Sequence, residues 1–174
     1  MMTPPPPVLL LDVDGVLNAV RRDLPEGWQR GRFNGYVLSW DPSVLARLRA
    51  LHEQGRVELQ WLTTWTRMAD QLLAGPMGLP RGLRTHDRDA LPSGFAGVRG
   101  GVAGWWKLAS ARALAQAEPD RRIVWIDDDL ADQAEDTRAW IAGHGEVLVV
   151  APEWSTGLTH AELDRVEAWL DEDG

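Results

Sequence analysis

No cysteine occurs anywhere in the chain, and that absence excludes disulfides, thiolate zinc sites and cysteine nucleophiles together. No apolar run approaches the roughly 20 residues of a membrane span. The N-terminus also lacks a basic stretch followed by a long apolar one, so a soluble cytoplasmic protein without membrane contact is expected. Positive charge is scarce: 18 Lys and Arg against 26 Asp and Glu leave a net charge of -8, with acids gathered toward the C-terminal half. Broad electrostatic capture of nucleic acid is thereby disfavoured, although Arg21, Arg22, Arg30 and Arg32 form a local basic cluster. There is no internal repeat, no histidine pair at ligand spacing, and no sign of an obligate protein partner.

What remains is ordinary globular composition, 44% hydrophobic and 25% charged. A chain of 174 residues buries roughly 70% of its unfolded surface as one domain. That domain is expected over residues 8–174. Residues 1–7 carry four consecutive prolines, which cannot donate ladder hydrogen bonds, so a disordered, solvated lead-in is expected there. Ten tryptophans, spread from Trp28 to Trp169, are expected mainly as packing, with a minority lining a site.

The stretch Val8 to Asn18, VLLLDVDGVLN, organises the rest. Four apolar residues run into two aspartates one residue apart, which describes a buried parallel strand ending in an acidic loop. Residues 21–39 read as a loop or short hairpin, with a strand at Tyr36 to Trp40. Asp41 and Pro42 start a helix carrying Val44, Leu45, Leu48 and Leu51 at helical period, closed by Gly55. Val57 to Leu62 is the second strand and ends in Thr63 and Thr64. A helix over Arg67 to Ala74 and a short strand near Leu83 to Thr85 follow. Next come a helix from Trp105 to Ala117, a strand from Ile123 to Ile126 ending in Asp127, Asp128 and Asp129, a helix through Ala142 and a strand from Val147 to Val150. The last helix spans His160 to Leu170, with Thr159 and Glu162 as its capping box. Strands alternating with helices imply a Rossmann-like α/β fold, a parallel sheet of about five strands covered on both faces.

Three strand ends then bring polar residues to one sheet edge: Asp12 and Asp14, Thr63 and Thr64, Asp127 and Asp128. In open α/β sheets that edge is where ligands bind. Carboxylates crowded there repel one another unless a cation neutralises them. An all-oxygen donor set favours Mg²⁺ over zinc, since Mg²⁺ keeps waters and binds substrate phosphate, and this points to phosphoryl chemistry.

DVDGVLN, WLTT, Lys107 on a helix and IDDD after a strand resemble, in order, the four motifs of the haloacid dehalogenase (HAD) superfamily. The resemblance covers nearly the whole chain. It implies that Asp12 is the nucleophile forming an aspartyl phosphate, and that Asp14 protonates the leaving group and then activates water. Dehalogenases of the superfamily lack that second Asp, so a phosphatase or phosphotransferase is implied. Thr63, with Thr64 as the alternative, would bond a phosphoryl oxygen. Lys107, with Arg99 as the fallback, would supply the cation. Mg²⁺ would be held by Asp128, Asp12 and the carbonyl of Asp14, with Asp127 acting through water. Asp129 has no role beyond capping a helix.

Only a flap-sized loop follows the first motif, and no substantial cap is expected. The closest resemblance is to the compact HAD domain associated with bacterial RNA-repair proteins, which shows similar DVDGVLN, TTW and WIDD segments. It implies a phosphorylated substrate, either a small molecule or a nucleic-acid end. Trp28, Trp65 and arginines including Arg22 are candidates for stacking a base and holding a backbone. A non-catalytic module that keeps the fold and binds metal or nucleotide is the competing reading. Asp14 argues against it, because a pure binder needs no general acid.

Overall fold

Val8–Leu11 is apolar at every position, so neither face of the segment can meet water, and it forms β1 with no exposure at any of its residues. The computed structural model describes residues 4–88, 105–133, 135–144 and 146–172. On either side of β1 lie β4 (Glu58–Trp61) and β6 (Ile123–Ile126), flanked in turn by β5 (Arg84–Thr85) and β7 (Val147–Val150). The result is a five-stranded parallel sheet of order β5-β4-β1-β6-β7.

Alternation along β1 divides the core. Leu9 and Leu11 face α1 (Pro42–Glu53), α4 (His160–Asp171) and the helical turn around Ala69 and Leu73. Val8 and Leu10 face α2 (Trp106–Ala117) and partly buried residues of α3 (Glu135–Gly143). Helices therefore cover both faces, as the alternating pattern predicts. Asp41 caps α1 by accepting from Ser43 N at 2.8 Å, and Thr159 and Glu162 form the expected capping box of α4.

Between β1 and α1 lies a separate two-stranded hairpin, β2 (Gln29–Phe33) and β3 (Tyr36–Trp40), turned by Asn34 and Gly35. Both turn residues have positive φ, 47° and 86°, as the tightest hairpin turns require. Arg30 ties the hairpin to the loop before it, donating to Ser39 Oγ and to the carbonyls of Arg22 and Asp23. The expected helix over 67–74 winds wide, as a π-helix, across Ala69–Ala74.

One expectation needs adjustment. The lead-in is not loose through its end, because the carbonyl of Pro6 accepts from Arg121 Nε at 2.5 Å and that of Pro7 from Glu58 N at 2.8 Å. Proline lacks a donor but keeps its acceptor. Residues 89–104, which hold Arg99 and part of the interval expected to lack a cap, lie outside the described residues. Among the described residues no helix is long and apolar enough to cross a membrane.

Candidate active site

Parallel registers pair Leu11 with Trp61 on one side and with Ile126 on the other, so the carboxyl ends of β4, β1 and β6 come out side by side. Asp12 follows β1 directly, Asp127 follows β6 directly, and Thr63 lies just beyond β4. The first turn of α2 adds Lys107, which is only 1% exposed. Its Nζ stands 2.7 Å from Asp12 Oδ2 and 2.7 Å from Asp127 Oδ2, bridging two strand ends from the helix packed below them. Asp12 Oδ1 accepts from Val13 N at 2.7 Å, and the Thr63 hydroxyl bonds to the same carboxylate.

Burial is the dominant electrostatic fact here. It pushes the Asp12 carboxyl above the usual carboxylate range, against the pull of Lys107. Burial and then repulsion from Asp12 push Asp127 up to about 8, while burial, Asp129 and Asp12 raise Asp128 to about 6. Burial alone would lower Lys107, but the charges of Asp12 and Asp127 outweigh it and hold the ammonium. Three carboxylates thus face one ammonium, with Asp12, Asp127 and Lys107 buried and Asp128 partly buried. One oxygen each of Asp12, Asp127 and Asp128 lies within 4.8 Å of the others.

The donor set fits a hard divalent cation, which would favour the ionised form of all three carboxylates and balance the two negative charges that Lys107 would then leave uncompensated. Gly15 supports the fit from another side: at φ +72°, a Cβ there would overlap the Asp128 carboxyl. Backbone and carboxylate therefore approach more closely than any other residue would permit. Among the described residues the Asp14 side chain is not one of this trio. Asp14 instead accepts from Asn18 Nδ2 at 2.8 Å and from Trp65 Nε1 at 2.9 Å.

Above this floor opens a cavity of about 270 Å³ lined by Asp12, Asp14, Gly15, Thr64, Lys107, Asp128 and Asp129, with Val20 and Trp154 on one wall. A larger hollow of about 640 Å³ between α2 and α3 has no carboxylate among the described residues that line it, so size alone does not choose the site.

A family model described as the HAD domain in Swiss Army Knife RNA repair proteins matches residues 8–163, from the first residue of β1 into α4. The chain belongs to this HAD-domain family. No curated protein and no solved structure matches it. Membership places this HAD domain in a superfamily of hydrolase type, and the match takes in every strand end that contributes to the cavity.

Several expected site residues of the HAD domain fall elsewhere. Thr63 is fully buried against Asp12 and Thr64 reaches the cavity, because the turn after β4 exposes the second threonine rather than the first. Trp65 offers no face for a base: its ring is 6% exposed and packed edge-on against Tyr36 at 5.6 Å. Trp28 lies away from the cavity lining with the Arg21 guanidinium over its ring, and Arg22 is exposed outside that lining. Asp129 does not cap the turn Asp128–Ala131. Asp127 does so, accepting from Asp129 N, while Asp129 lines the cavity.

Sequence reasoning missed Asn18, Val20 and Trp154. The last two enter through a loop contact, Val20 N to Trp154 O at 3.0 Å, which no local pattern announces. One signal was available for Lys107: it is the only lysine in the chain.

Proposed function

We propose that this HAD domain is a Mg²⁺-dependent phosphomonoester hydrolase working through an aspartyl phosphate on Asp12. The observation that carries the reading is the pair of 2.7 Å contacts that fix Lys107 between Asp12 and Asp127 at the floor of a cavity otherwise rimmed with oxygen donors. An ammonium buried beside a carboxylate is costly to maintain. It is suited to hold a nucleophile in place and to neutralise an arriving phosphoryl group.

In the first step an Asp12 oxygen forms a bond to phosphorus as the ester P–O bond breaks, and Asp14 gives its proton to the leaving oxygen. In the second, Asp14 takes a proton from water, the water oxygen bonds to phosphorus, and Asp12 leaves as a carboxylate with release of phosphate. Thr64 offers its hydroxyl to a phosphoryl oxygen, while Thr63 orients Asp12. Asp12, Asp128 and the carbonyl of Asp14 would hold Mg²⁺, with Asp127 behind them. When bound, the cation supplies charge neutralisation at the phosphoryl oxygens.

On the substrate side, Trp154 is 53% exposed beside Val20, an apolar wall next to a polar floor. Such a wall suits a planar leaving group, and we read the substrate as a nucleotide or a nucleic-acid end phosphate. The test is Mg²⁺-dependent phosphate release from an aryl phosphate and from 3′- and 5′-phosphorylated oligonucleotides. Wild-type turnover with covalent phosphate trapped on Asp12 is expected. Undiminished turnover by Asp12→Asn would overturn the mechanism.

A further inference from the structure

The Asp14 carboxylate is held by two side chains, one from its own loop and one from a distant part of the chain. Its Oδ1 accepts from Asn18 Nδ2 at 2.8 Å and its Oδ2 from Trp65 Nε1 at 2.9 Å. Neither donor is free to turn away. Asn18 Oδ1 accepts from Ser39 N on β3 at 2.9 Å, which obliges the amide nitrogen to face Asp14. The Trp65 indole is buried, and its backbone N donates to Thr63 Oγ1 at 3.3 Å. The next residue, Thr66, has φ 50°, a costly conformation for a β-branched residue, which persists only where the surroundings dictate it.

An indole N–H can only donate. Each carboxylate oxygen accepts at two positions, so the pair occupies one on each oxygen and leaves the other open to the cavity. A carboxylate that merely finished a loop would need only the Asn18 bond, which lies within its own turn. The bond from Trp65 spans 51 positions of sequence and comes from the turn after the neighbouring strand β4.

We propose that Trp65 and Asn18 are positioning residues that aim the Asp14 carboxyl at the leaving-group oxygen, and that the β2–β3 hairpin supports this aim through Ser39 and through Tyr36 against Trp65. The inference rests on the acid and base role given to Asp14 above. Its chemistry distinguishes two kinds of ester. An alkyl alcohol leaves as phosphorus bonds to Asp12 only if its oxygen receives the Asp14 proton, whereas nitrophenolate leaves as a stable anion and needs none.

The experiment compares kcat/KM, which reports the first phosphoryl transfer, for an alkyl phosphomonoester and for p-nitrophenyl phosphate in wild type and Trp65→Phe. Phenylalanine keeps a buried ring and removes the N–H. The expected result is a loss of about tenfold or more on the alkyl ester, in line with the cost of misplacing a proton donor, with the aryl ester within about twofold. Asn18→Asp keeps the size and the Ser39 bond but replaces the donor with a repelling carboxylate. It should show the same split, which keeps the test intact if Trp65→Phe folds poorly. Equal losses on both esters, or none on either, would overturn the inference while leaving the hydrolase reading standing. A wild type inert toward both esters would overturn the hydrolase reading and the inference with it.

Discussion

Gly15 and Asp128 are in such close contact that the carboxyl occupies the space where a side chain at position 15 would begin. Gly15→Ala therefore has two separable costs. Placing alanine at φ +72° costs roughly 1–2 kcal/mol of stability. Displacement of the Asp128 carboxyl weakens the cation site, and a rise of about tenfold or more in the Mg²⁺ concentration for half-maximal activity is expected. Metal titrations of activity at a temperature where both proteins remain folded check this. An unchanged midpoint would remove Asp128 from the metal site.

Lys107→Met should be damaging in both fold and function. It leaves Asp12 and Asp127 buried at the sheet edge without their shared cation. Breaking a buried pair from one side costs about 3–5 kcal/mol. Urea melts at neutral pH should show that loss, and kcat should fall at least about 100-fold if the ammonium stabilises the transferring group. Lys107→Arg should not rescue, because a planar fork cannot reproduce two 2.7 Å contacts to carboxylates on adjacent strands from the same position.

His86 gives a pH dependence remote from the chemistry. Its Nε2 donates to Gln60 Oε1 at 2.7 Å, an assignment fixed because Gln60 Nε2 is committed to Glu58 at 2.8 Å. Burial, followed by the nearby Arg84, lowers the imidazole to about 4 from its ordinary 6.5. The folded chain therefore binds fewer protons than the unfolded chain between those values. The contribution is fully present above pH 6.5 and is lost as the pH falls through 4. It amounts to at most about 3 kcal/mol. The stability difference between wild type and His86→Gln should shrink over that window. Parallel stability curves would show that His86 titrates normally.

Trp154→Ala should spare the fold and alter the choice of substrate. A side chain 53% exposed packs with less than half of its surface, and a stability loss of about 1–3 kcal/mol, small enough to leave the domain folded, is expected. Loss of one stacking face costs about 1–3 kcal/mol in binding a base. The expected outcome is a higher KM for nucleotides with p-nitrophenyl kcat retained. Equal KM values for nucleotides in variant and wild type would remove the stacking role.

Legibility in the sequence followed how local each determinant was. Ile123 to Ile126 and Val147 to Val150 are strands at the boundaries their apolar runs indicate, the first fully buried and the second, at the sheet edge, partly so. Gln29–Phe33 was readable only as part of a loop, since QRGRF has no apolar alternation and is a strand by virtue of its partner β3. The three acidic or hydroxyl strand ends were legible as a set, but which member of each pair faces the cavity was not. Thr63 and Thr64 are chemically alike, and only the turn after β4 separates them. Trp65 was read by its ring, whereas in the folded chain its N–H is what faces the site. That role depends on a partner 51 residues away.

The hairpin of β2 and β3 forms a sheet of its own, while Asp12 and Asp127 end strands at the middle of the five-stranded sheet. Amides of β1 and β6 should accordingly be among the slowest to exchange with solvent, opening only when the whole domain opens, whereas those of the hairpin should exchange through smaller excursions. Asp12 and Lys107 then stay paired for as long as the native state itself persists. The hairpin, whose Ser39 and Tyr36 brace Asn18 and Trp65, can loosen and re-form many times within that lifetime.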